Sequence, residues 1–133
     1  MADINKVVVH SLTGRLLKGT TQDFFPNRPT FHVLPMDGSP AMEVRVKQLK
    51  AVFFVKDLCG DPSHVDQAVF DRSAHGRKME VTFNDGEVLL GTTLNYQPNG
   101  HGFFLAPADS TGNNLRVYVI SASVRHARFL PRG

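Results

Sequence analysis

The chain has one cysteine, Cys59, in 133 residues, and no tryptophan. A lone cysteine excludes an internal disulfide framework and points to a reducing compartment. No apolar run approaches the roughly 20 residues needed to cross a bilayer. The opening stretch, Met1 to Lys6, is polar and lacks the apolar region of a secretion signal. These absences predict a soluble cytoplasmic protein with no membrane partner. Helical periodicity of useful length is missing as well. Cys59, Asp61, His64 and His75 share one polar stretch, but neither Cys-x-x-Cys nor His-x-x-x-His spacing occurs. A surface linker accounts for them better than a zinc site. A Cys59/His64 nucleophilic pair would lack an orienting third group and an oxyanion site. No metal, no cofactor and no enzymatic activity are expected.

What is present is a repeat. Lys6 to Asp37 aligns without a gap on Lys78 to Asp109, 72 positions later. Twelve positions are identical, among them Gly14/Gly86, Gly19/Gly91, Thr20/Thr92, Thr21/Thr93, Pro26/Pro98, Asn27/Asn99 and Phe31/Phe103. Glycines, prolines and core hydrophobes held in one register over thirty residues predict an internal duplication. A unit of about 55 residues buries too little surface to be stable alone, so the two copies should lean on each other. The expected organisation is residues 1–56 as a first copy, 57–77 as a connector and 78–133 as a second copy.

Within each copy the pattern is that of strands. Val7-Val8-Val9 is β-branched, and Thr13-Gly14 and Asp85-Gly86 are hairpin turn signals. Gly19 and Gly91, inside the second strands, predict a sharp bend or a close backbone approach. Third strands are expected at Phe31 to Leu34 and Phe103 to Leu105. Fourth strands are expected at Met42 to Lys47 and Leu115 to Ile120, with Val44 matching Val117. Fifth strands are expected at Leu49 to Lys56 and Val124 to Leu130. Five short, bent antiparallel strands predict a small barrel whose closure removes its edges. The connector has room for one helical turn near Val65 to Val69. Ala51-Val52-Phe53-Phe54-Val55 does not alternate, so both its faces must be covered. Val52, Phe53, Phe54 and Val55 are therefore expected at the interface between the copies.

The Gly turn, the Gly five residues later and the apolar third strand make each copy resemble the Sm-like barrel of Sm and Hfq proteins. The fold implied is all-β, two tandem five-stranded Sm-like or SH3-like small barrels. The function implied is single-stranded RNA binding, and a homo-oligomer is a possible assembly. Asp23 and Asn27, or Asn95 and Asn99, resemble the Asp and Asn of the first Sm motif, although they fall earlier relative to the Gly. Lys47-Gln48 resembles the basic step of the second motif; Ser121-Ala122-Ser123 departs from it. The string from Leu49 to Asp57, with Gly60-Asp61 behind it, is similar to that of a bacterial family without an assigned activity.

The formal charge of +3 and a pI near 9.3 are mildly basic. Aromatics near turns beside basic residues can stack bases and contact phosphates. Phe24, Phe25, Arg28, Lys47, Lys50, Arg116, Arg125 and Arg128 are the candidate nucleic-acid contacts, with Tyr96, Phe104, His32 and His101 nearby. The alternative is that the aromatics plug the barrels and that the partner is a protein. A further alternative rests on Asp71-x-Ser73-x-x-Gly76, which resembles half of the PilZ signature for cyclic di-GMP. The Arg-x-x-x-Arg element that accompanies it in that family is absent upstream.

Overall fold

The computed structural model describes residues 4–58, 76–94, 96, 100–108 and 113–131. Cys59, Asp61, His64, Asp71, Ser73 and His75 lie outside the described residues, as do the helical turn expected near Val65 and the pair Asn95 and Asn99. Among the described residues no helix is long and apolar enough to cross a membrane.

Among the described residues, ten strands form one antiparallel sheet. They are β1 (Asn5–Ser11), β2 (Leu16–Thr21), β3 (Thr30–Pro35), β4 (Met42–Arg45), β5 (Leu49–Val55), β6 (Arg77–Phe83), β7 (Val88–Thr93), β8 (Gly102–Pro107), β9 (Asn114–Ile120) and β10 (Val124–Phe129). Their order is β10-β6-β7-β8-β9-β5-β1-β2-β3-β4. The first half therefore runs β5-β1-β2-β3-β4 and the second runs β10-β6-β7-β8-β9, the same arrangement twice. Short 3-10 turns, Val46–Gln48 and Ser121–Ser123, precede the last strand of each half.

The glycines act as the sequence predicts. Gly14 and Gly86 turn their hairpins at φ +88° and +93°, a region that side chains with a Cβ rarely enter. At Gly19 a Cβ would stand 2.2 Å from the Leu34 carbonyl oxygen, and at Gly91 2.3 Å from that of Ala106. Only glycine lets the neighbouring strand pass that close.

Two expectations need correction. The sheet does not close: β4 and β10 are its ends. Instead of meeting its own fourth strand, β5 pairs with β9 of the other half, through Ala51/Val119, Val52/Tyr118 and Phe53/Val117. Edge pairing between the halves satisfies the same backbone groups that closure would have satisfied. The register also moves one equivalence. Phe31 lies opposite Val44 and Phe103 opposite Val119, so Val44 corresponds to Val119 and not to Val117. The offset is 72 at Pro35/Pro107 and 75 at Met42/Val117, so three extra residues lie between Pro107 and Val117, and β9 starts three residues earlier than the counterpart of Met42.

The apolar run of β5 is explained by two cores. Val52 and Phe54 enter one cluster with Val7, Val9, Phe31 and Val33. Ala51, Phe53 and Val55 enter the other with Met79, Val81, Phe83 and Leu105. Successive strand residues face opposite sides, so one strand supplies both cores and every residue of β5 is buried. β9 does the same, with Tyr118 and Ile120 on one side and Val117 and Val119 on the other.

Candidate functional site

The halves meet around two clefts. The first is built on turns. The Arg28 amide donates to the Phe25 carbonyl at 2.9 Å, closing a turn with Pro26 at its second position, where the fixed φ of proline fits. That turn sets the Arg28 guanidinium 4.6 Å from the centre of the Phe25 ring. The Val46 amide then donates to the Pro29 carbonyl at 3.0 Å and brings the 3-10 turn carrying Lys47 alongside. In the second half the Ser121 amide donates to the His101 carbonyl at 2.9 Å, the equivalent bond at the equivalent positions. The two corners enclose about 620 Å3, lined by Pro26 to Pro29, Val46, Lys47, Gly100, His101 and Ile120 to Ala122. That volume suits a nucleotide-sized group. Arg28 and Lys47 line it, and among the described residues no carboxylate does.

The second cleft has the opposite character. Lys50 leaves β5 and crosses to the β6–β7 turn, where its Nζ lies 2.7 Å from Asp85 Oδ2 and also hydrogen-bonds Glu87. The amine stands 4.6 Å from the centre of the Phe83 ring. Burial opposes the Lys50 charge, yet the two carboxylates outweigh it and raise its pKa above the ordinary value. Asp85 is held below the usual carboxylate range, chiefly by the hydrogen bond from Lys50. The buried Ser123 hydroxyl donates to the carbonyls of Lys50 and Ile120, fixing the same junction. His10 lines this cleft, its ring tilted 43° to that of Phe53 with the centres 4.3 Å apart. Burial lowers its pKa, with Glu87 pulling the other way. The arrangement is a polar lock between the halves, with one cation held between two carboxylates.

The candidate contacts named from the sequence thus separate. Arg28 and Lys47 share the first cleft, with the exposed Phe25 at its edge. Lys50 is buried in the lock. Phe24 packs edge-on against Phe31, Phe54 and Tyr118 at 4.9, 5.5 and 5.2 Å and, half-buried, packs against the first core. Arg116 lies over Phe54 and Phe104 at 4.5 and 5.0 Å. It stands four residues from Ile120 along one face of β9, about 13 Å away at strand rise. Arg125 donates to the Asn84 carbonyl at 2.6 Å and Arg128 to Glu80 at 3.0 Å, both on the outer strand β10. Tyr96 packs on Phe103 and Phe129.

Asp23 has a structural task. It accepts from the His32 amide at 2.8 Å and from His32 Nδ1 at 2.7 Å. Burial works to raise its pKa, but these bonds outweigh burial and lower it. Sequence reasoning did not place Ile120 to Ala122 at a site, because Ser121-Ala122-Ser123 carries no charge. The signal was the equivalence of that segment to Val46-Lys47-Gln48. Among the described residues no group of three or more His, Cys, Asp and Glu side chains is placed to hold a metal ion.

Comparison with known proteins adds a family and no activity. The model of a family of unknown function, DUF6982, matches residues 3–131. No curated protein and no solved structure matches the chain. The match spans nearly the whole sequence, and the chain belongs to the DUF6982 family.

Proposed function

We propose that this chain is a non-catalytic binding module for single-stranded nucleic acid, RNA in the first place, and that the ligand enters the cleft between Arg28-Lys47 and His101-Ser121. In this reading each half is a small Sm-like barrel, the two are products of a duplication, and the compartment is the reducing cytoplasm. The observation carrying it is a cleft lined by two cations and, among the described residues, no carboxylate, with Arg28 4.6 Å from the centre of the exposed Phe25 ring. Phosphate charge would fall to Arg28 and Lys47, and base stacking to Phe25. Arg116 extends the basic face along β9.

The test is fluorescence anisotropy with a labelled single-stranded RNA pool across a salt series. Affinity should fall as salt rises. Arg28→Ala with Lys47→Ala should weaken binding and reduce the log–log salt slope by roughly 1.4, at about 0.7 per phosphate contact on a single strand. Arg125→Ala, on the outer strand, should leave the slope unchanged. An unaltered slope in the double variant removes this cleft from the binding site.

A further inference from the structure

The β5–β9 junction is a template for what the free edge of β4 would accept. β4 is the counterpart of β9, and it pairs only with β3 among the described strands. Beside it lies a groove of about 730 Å3 between β4, the β1–β2 turn and the start of β5. Leu12, Leu16 and Met42 line that groove and are 55%, 56% and 48% exposed. At the internal junction the corresponding edge is covered by β5, and Lys50 of β5 meets Asp85 and Glu87 on the β6–β7 turn. The 72-residue equivalence puts Thr13 and Arg15 where Asp85 and Glu87 stand. The sign of the docking site is therefore reversed.

A second copy of this chain fits badly. Among the described strands its only free counterpart of β5 is β10, in which Val124 occupies the register of Leu49 and Arg125 that of Lys50. Arg125 would meet Arg15. His126, Ala127 and Arg128 would replace Ala51, Val52 and Phe53 against Val44, Glu43 and Met42. The apolar pairs of the internal junction become charged or polar ones, a known device for keeping edges from self-pairing.

We propose that the β4 edge receives an extended segment of a different protein, added antiparallel to β4. Its apolar residues alternate as in β5, and it carries a carboxylate where β5 carries Lys50. Backbone pairing supplies affinity and the Arg15–carboxylate contact supplies selectivity. The surface adjoins the nucleic-acid cleft at Lys47, which lines both, but the proposal does not rest on that reading.

The probe is a synthetic peptide of residues 48–57 carrying Lys50→Glu, compared with the unchanged peptide, each titrated into the full chain and followed by backbone amide NMR. The Glu peptide should bind about two- to fivefold more tightly than the Lys peptide, from exchanging a like-charge contact for an opposite one. Shifts should concentrate at the amides of Met42 to Arg45. On the Arg15→Glu protein the order of the two peptides should reverse. Sedimentation velocity should show the wild-type chain as a monomer. Equal affinities on both proteins, no binding, shifts at β10 in place of β4, or head-to-tail self-assembly of the wild type would each overturn the proposal.

Discussion

Phe53 is the residue at which the two halves are most open to attack. It belongs to β5 of the first half, yet its ring sits in the second core, opposite Val117 and against His10. It is 5% exposed. Truncation to alanine removes a buried aromatic side chain from a packed interior, which costs about 3–5 kcal/mol. A domain of this size has about 5–15 kcal/mol in all. With a urea dependence of about 2 kcal/mol per molar, the midpoint should fall by roughly 2 M. The distribution of the loss is the informative part. Because β5 alternates between two cores, Phe53→Ala should lower the opening free energy equally at the Val9 amide of the first half and the Val81 amide of the second. Urea unfolding by circular dichroism gives the total, and native-state hydrogen exchange gives the distribution. Two separated transitions, or a loss confined to Val81, would refute the view that β5 makes one cooperative unit of the halves.

Two further outcomes concern the lock. Lys50→Met should destabilise the fold by roughly 1–3 kcal/mol in urea unfolding, less than for a fully buried ion pair because Asp85 and Glu87 can rehydrate; it should leave RNA affinity unchanged. His10 should make stability fall as pH drops below about 6.5, since burial holds its folded pKa beneath its ordinary value and the unfolded chain then binds the extra proton. His10→Gln should flatten a plot of thermal midpoint against pH in that window. It should leave intact the separate loss at lower pH that comes from Asp23 and Asp85, whose folded pKa values are depressed.

The strands and turns were legible because their causes are local. Positive φ at Gly14 and the crowding of Gly19 against Leu34 are written in single residues. The two-sided burial of Ala51 to Val55 was legible from its failure to alternate. The open ends of the sheet were not, because closure within a half and edge pairing between halves bury the same side chains. The Val44/Val117 match erred for a related reason: β-branched residues two apart look alike in sequence, and only the Phe103–Val119 pairing fixes the register. At the site, Lys47 and Lys50 read as equals. The 3-10 turn Val46–Gln48 holds Lys47 at the basic cleft, while β5 carries Lys50 to the β6–β7 turn. The carboxylates that capture Lys50 are 35 and 37 residues away, beyond the reach of any local pattern.

The reading of the basic cleft is tested most directly by photo-crosslinking. A single-stranded RNA substituted with 4-thiouridine would be irradiated with the full chain at low salt, and the attachment points found by mass spectrometry. The account predicts crosslinks on Phe25 to Pro29, Lys47 and the His101 and Ser121 corner, lost in the Arg28→Ala, Lys47→Ala variant. Crosslinks confined to β10, or none at a salt concentration where the phosphate term is strongest, would contradict it.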